Sequence, residues 1–189
     1  VPDVQSLFAP APFPWWVAGG HALDLFVGHA TRPHGDIDVS ILRRDAPLLR
    51  LLLAGWDLHG ADAGVLTPWT TADTGPPTGS IWCRRAPGRA WCLQVMLDAG
   101  SETEWVCHRH GEIRLALPHA LARSPEGIPY LRPELQLLLK AKDCRPKDEA
   151  DFAAVFPLLG TDEAKWLAGN LRRLYPRHRW LNQMPAVGR

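Results

Sequence analysis

The first 118 residues contain no lysine; all four lysines of the 189-residue chain lie beyond Pro118. No CxxC pair occurs among Cys83, Cys92, Cys107 and Cys144, so the commonest structural zinc spacing is missing. Four irregularly placed cysteines are also too few to staple a chain of this length, and reduced thiols are expected. No stretch approaches the ~20 apolar residues of a membrane span. Residues 1–14 lack the basic start and long apolar run of a signal peptide, so the expected setting is the cytoplasm, with no membrane partner. There is no internal repeat and no low-complexity tract. An excess of one charge is lacking too: 21 Lys+Arg face 20 Asp+Glu, a net +1. That balance argues against a dedicated nucleic-acid binder. With 46% hydrophobic and 22% charged residues, the chain is neither disordered nor short of core.

The near-neutral charge is the sum of two opposed parts. Residues 1–118 carry nine arginines against twelve acids, or −3; residues 119–189 carry twelve basic residues against eight acids, or +4. Pattern divides the chain at the same place. Trp15–Ala18 reads as a strand and His21–Val27 as a helix. Asp36–Leu42 alternates, with Asp36, Asp38 and Ser40 on one face and Ile37, Val39 and Ile41 on the other, as a strand with one apolar face would. Ala46–Ala54 reads as a helix closed by Gly55. Gly60–Pro77 is expected to be a long loop, with at most a short strand near Leu66. Ser80–Arg84 and Trp91–Asp98 form an expected hairpin, Glu104–Arg109 and Glu112–Leu117 a second. From His119 the pattern turns helical, with starts at Pro133, Pro146 and Thr161. The expectation is an α+β fold: an α/β domain over 1–118, with a mixed sheet and flanking helices, and a helical domain over 119–189.

Two features at a telling distance carry chemistry. Gly19-Gly20 opens a helix, and Asp36-Ile37-Asp38 follows with 15 residues between it and Gly20. Carboxylates at i and i+2 of a strand share a face and repel unless neutralised, which suits divalent metal. Magnesium takes a few carboxylates plus phosphate oxygens. A glycine pair at a helix start lets backbone N–H groups approach phosphate. Together they describe a nucleotide-triphosphate site.

The segment Trp16–Val39 resembles the active-site strand–helix–strand of the nucleotidyltransferase superfamily, which has the polymerase β-like fold. More closely it is similar to the aminoglycoside 2''-adenylyltransferase and lincosamide nucleotidyltransferase group, through Gly19, Gly20, Ala22, Leu23, Asp24, Thr31, Arg32, His34, Asp36, Ile37 and Asp38. Tyr130–Phe152 resembles the helical segment that closes the same site. The resemblance implies transfer of a nucleoside monophosphate from a nucleotide triphosphate, ATP by preference, to a hydroxyl of a small acceptor. Aminoglycoside and lincosamide antibiotics are the acceptors of that group. It also implies magnesium held by Asp36 and Asp38 and a third carboxylate on a neighbouring strand.

At that third place the sequence departs from the pattern. Gln94 stands where the acid would often lie, and an amide cannot act as a base. Asp98, four residues along on the same face, is the substitute expected to complete the catalytic and metal set. Glu102 and Glu104 are weaker candidates, and with Asp98 would supply an acidic pocket for a cationic aminoglycoside; the Trp-rich hairpins suit a less charged sugar. Triphosphate binding is expected from Gly19, Gly20, Arg32, Lys140, Lys142 and Lys147, out of a basic cluster that also includes Arg145. Asp148 and Asp151 would orient that cluster, while His21 and His34 are expected to be structural. The chain is expected to work as a monomer or homodimer. Two other readings remain open: a toxin-like enzyme that modifies a macromolecule, and a nucleotide-binding protein of the same fold that has lost catalysis.

Overall fold

The structure, a computed structural model, describes residues 2–70, 72–73, 75–77 and 79–184. Residues 71 and 74 of the expected loop and residues 185–189 of the expected helical part lie outside them. The chain opens with helix α1 (Pro2–Phe8), strand β1 (Trp15–Val17), helix α2 (Gly19–Val27), strand β2 (Ile37–Leu42) and helix α3 (Ala46–Leu52). Strands β3 (Asp57–Asp62), β4 (Val65–Pro68), β5 (Ser80–Arg84) and β6 (Leu93–Asp98) follow. Then come a small separate hairpin of β7 (Glu104–Val106) and β8 (Arg114–Ala116), a one-turn helix α4 (Leu117–Ala120), and strands β9 (Leu121–Arg123) and β10 (Pro129–Leu131). Helices α5 (Pro133–Lys140), α6 (Pro146–Val155) and α7 (Thr161–Leu174) close the order.

The main sheet is mixed and eight-stranded, in the order β4-β3-β5-β6-β2-β1-β10-β9. β2 runs parallel to β6 and β1 parallel to β10; the other neighbours are antiparallel. The alternation of β2 does what a half-buried strand requires. Val39 and Ile41 turn to one face, where they pack with Phe8 of α1, Leu49 of α3, Ile81 and Val95. The opposite face is covered at one end only, where Trp16, Leu23 and Leu42 meet α5, α6, α7 and the β7–β8 hairpin in a second core. Asp38, Gln94 and Trp82 share that opposite face and stay half-buried.

Two expected stretches are built differently. Residues 121–131, expected within the helical part, form β9 and β10, which extend the main sheet beside β1. Short segments with buried Tyr130 and Leu131, joined by a turn at Gly127 with φ +83°, have too little length for a helix; the helices begin at Pro133. The expected loop from Gly60 contains the end of β3 and all of β4. They turn at Ala63-Gly64, where φ is positive at both residues, as a tight hairpin demands. β4 is exposed throughout, so it carries no apolar alternation to betray it.

The helical end is fastened by aromatics. Phe152 stacks on Trp180 at 4.3 Å and on Phe156 at 4.9 Å. Trp180 is fully buried and its Nε1 donates to Glu149 at 2.9 Å. Replacing Trp180 by alanine is expected to cost about 3–5 kcal/mol, read as a lowered urea midpoint in chemical unfolding.

Candidate active site

Gly19 begins α2 immediately after β1, with φ +65°. A side chain is strained there, and an added Cβ would overlap the carboxylate of Asp38. The missing side chain thus lets Asp38 lie against the first turn of α2. Gly20 plays the same part for a second layer: a Cβ there would overlap the His34 ring and the Arg32 guanidinium. The Gly19 amide donates to Gln136 Oε1 of α5 at 2.8 Å. Gly19 therefore contributes space and not a free donor. The next amides, of Gly20 and His21, belong to the first turn and have no intrahelical acceptor, the position at which helix amides can bind anions.

The loop between α2 and β2 is fixed by Asp24. Its Oδ1 accepts from the Thr31 amide and hydroxyl at 2.9 and 2.8 Å, and its Oδ2 lies 2.7 Å from His34 Nε2. The His21 ring packs on His34 with centroids 4.1 Å apart. Burial, with His34 beside it, pushes His21 down to about 4, so it is neutral at pH 7. These groups tie the end of α2 to the start of β2.

Asp36 and Asp38 stand at the head of β2. Burial, then the charge of Asp36, pushes Asp38 up to about 6; Lys140, Lys147 and Arg145 pull the other way. Among the described residues neither carboxylate has a hydrogen bond or an ion pair. Two crowded carboxylates, all-oxygen donors and no partner suit a hard divalent cation such as magnesium. The donor set fits the metal that the sequence implies.

Facing this pair, Lys140 is buried and bonded to Asp151 at 2.8 Å and Asp148 at 3.3 Å. Arg32 makes a two-pronged bond to Asp151, at 2.8 and 3.1 Å. Burial raises Asp151, but the bonds from Arg32 and Lys140 outweigh it and hold the carboxyl below its usual range. Asp148 follows the same logic with Arg145, whose backbone amide and guanidinium both donate to its carboxylate at the start of α6, at 3.0 and 2.8 Å. Arg32 and Lys140 are thus both held by buried carboxylates next to the site. Exposed Lys147 and Arg145 also act on Asp38. Lys142 instead acts on His108. Arg145, which the sequence reading placed in the cluster without singling it out, belongs to the cationic wall.

The third-acid position is settled by register. Asp38 pairs with Gln94 across the parallel strands, and Asp98 pairs with Leu42. Asp98 thus sits four residues, about 13 Å, farther along β6 and is not brought to Asp36 and Asp38. Its carboxyl is buried, accepts from Ser40 and feels Arg43; burial pushes it up to about 7. The strand spacing, not the shared face, decides the matter. Glu102 pairs with Arg44, and Glu104 with Arg114 at 2.8 Å, so each has a cationic partner on the surface.

Asp98 nevertheless shapes stability. Its folded value exceeds its unfolded one, so the folded chain holds a proton that the unfolded chain releases between about pH 4 and 7. Stability from this group is full below about pH 4 and lost as pH rises through about 7. Asp98→Asn is expected to flatten that part of the profile, seen as urea midpoints compared at pH 5 and pH 8.

Residues 1–59 match the family model described as aminoglycoside-2''-adenylyltransferase. No protein of curated function matches the chain in sequence. Among solved structures, the solution structure of the antibiotic-resistance factor ANT(2'')-Ia aligns with TM-score 0.59 and 17% identity, covering 92% of this chain and 89% of that one. A crystal structure of ANT(2'')-Ia in complex with adenylyl-2''-tobramycin gives the same score and identity over 91% and 94%. The lincosamide antibiotic adenylyltransferase LnuA, lincomycin-bound, aligns with TM-score 0.59 and 14% identity over 83% and 94%. The fold is the nucleotidyltransferase fold, and the resemblance seen in the sequence falls on the same group.

Proposed function

We propose, for a chain that groups with the nucleotidyltransferases by fold and by its first 59 residues, transfer of a nucleoside monophosphate from a nucleotide triphosphate to a hydroxyl of a small acceptor. The observation that carries the proposal is the unpartnered, crowded pair Asp36 and Asp38, set against the first turn of α2 and opposite Lys147 and Arg145. Asp36 and Asp38 would hold magnesium, whose charge when bound offsets that of phosphate oxygens. The Gly20 and His21 amides, with Lys147 and Arg145, would bind the triphosphate; such chemistry rests on positioning and charge neutralisation more than on covalent catalysis. ATP is the nucleotide we favour. Antibiotic glycosides are the acceptor class suggested by the structural neighbours, one holding adenylyl-2''-tobramycin and another lincomycin. A role in antibiotic resistance would follow from that acceptor.

Calorimetry of ATP with magnesium, beside a pyrophosphate-release assay over many acceptors, tests the proposal. Saturable binding and acceptor-dependent release are expected. Lys147→Ala is expected to weaken nucleotide binding about tenfold or more without lowering stability, since a cation near the start of α6 opposes its dipole. Absence of nucleotide binding would sink the proposal. Tight binding without turnover on any acceptor would favour a nucleotide-binding protein that has lost catalysis, a reading to which Gln94 beside Asp38 lends weight.

A further inference from the structure

The open face of the sheet carries a row of side chains running outward from Asp38. Register places Gln94 directly beside Asp38, Trp82 beside Gln94, and His59 beside Trp82. Gln94 is held in place by a bond from its Nε2 to the Ser80 hydroxyl at 2.8 Å. An amide accepts no proton at neutral pH. The acids nearest this row are engaged or remote. Asp57 is bonded to Arg84 at 2.6 Å and His59 at 3.0 Å, and Asp98 lies at the far end of the strand. An aliphatic hydroxyl attacking beside Asp38 therefore meets no general base on the neighbouring strand, a loss of typically 10²–10⁴-fold. The wall farther out is aromatic. Trp82 and Trp91 meet edge to face at 6.3 Å, His59 meets Trp91 the same way at 5.0 Å, and Arg84 covers one face of Trp91 at 4.3 Å. Two strand spacings, about 10 Å, separate Asp38 from Trp82, a span that one ring with its hydroxyl directed at Asp38 would cover. A cavity of about 440 Å³ continues along this face, lined by Ser80, Met96, Asp98, Arg43 and His108, which is small-molecule size.

We infer that the acceptor is an aromatic alcohol, a phenol, which supplies the acidity that the Gln94 position withholds and stacks its ring on the Trp82–Trp91 wall. The inference rests on the nucleotidyl-transfer reading and goes beyond it, setting a phenol in place of the antibiotic glycosides that the structural neighbours suggest. A phenol loses its proton near pH 10, against about 15.7 for water, so at pH 7 about one phenol molecule in a thousand is already ionised. In the reaction the phenolic oxygen bonds to the α-phosphorus, the bond from that phosphorus to the pyrophosphate oxygen breaks, and pyrophosphate leaves with the electron pair. The phenolic proton goes to solvent.

The test uses the full chain with ATP and magnesium at one pH, and reads pyrophosphate release together with the mass of the nucleotide diester. The acceptors are 4-nitrophenol, phenol, benzyl alcohol, a neutral hexopyranoside and tobramycin. Release is expected to be at least about a thousandfold faster on phenol than on benzyl alcohol. Gln94→Glu is expected to raise the benzyl alcohol rate 10²–10⁴-fold and so narrow the gap. Equal or faster release on tobramycin, hexopyranoside or benzyl alcohol by the wild type overturns the inference, with or without a folded variant. Release on no acceptor also overturns it. If magnesium-ATP still binds, and binds less well to Asp38→Asn, the underlying nucleotide site stands; if magnesium-ATP does not bind, both readings fall.

Discussion

Asp38→Asn is expected to lower nucleotidyl transfer at least about a thousandfold and at the same time to make the protein more stable at pH 8. Removing a carboxylate that holds metal forfeits several kcal/mol of transition-state charge stabilisation, and each 1.36 kcal/mol is tenfold in rate. The gain in stability has the same origin as the loss of activity. Burial and the neighbouring Asp36 raise Asp38 to about 6, above its value in an unfolded chain. The stability it contributes is full below about pH 4 and lost as pH rises through about 6, so above that the ionised group is a burden that asparagine does not carry. The gain is on the order of 1–3 kcal/mol. Steady-state pyrophosphate release and urea unfolding on the same preparation check both halves. An active variant, or an inactive one that is also less stable at pH 8, contradicts the assignment.

The second large effect falls on stability alone in its first reading. Asp151→Ala is expected to cost about 3–5 kcal/mol, because it removes one partner of a buried ion network. Asp151 is 1% exposed and holds both Arg32 and Lys140, so its loss leaves two cations without their shared anion. A second substitution distinguishes this from a packing defect. Adding Arg32→Met to Asp151→Ala is expected to return part of the loss, since Arg32, which bonds to Asp151 through two nitrogens, is the cation left uncompensated. Simple additivity of the two single effects in a double-mutant cycle would refute the network.

The sequence showed the centre of this site more clearly than its edges. Asp36 and Asp38 were legible because strand alternation alone puts them on one face, and Gly19-Gly20 because few residues other than glycine suit a helix start pressed against a carboxylate. Pro133, Pro146 and Thr161 marked helix starts through local geometry that needs no tertiary context. Asp98 was misplaced because shared face and shared position are different things: only the pairing of β2 with β6 shows which residue of β6 stands beside Asp38. The buried ion pairs of Lys140 were hidden because its partners, Asp148 and Asp151, lie 8 and 11 positions on and their burial is a tertiary property. β9 and β10 were hidden because three-residue strands in a mixed sheet carry too little pattern to stand out from a helical stretch.

The bond from the Gly19 amide to Gln136 ties the first turn of α2 to α5 across 117 positions of sequence. With β10 seated against β1, it leaves no natural seam at residue 118. A fragment ending there would keep both aspartates yet lose the acceptor that caps α2 and the strand that flanks β1. Severed halves should therefore be inert apart, and regain function only when mixed and allowed to assemble.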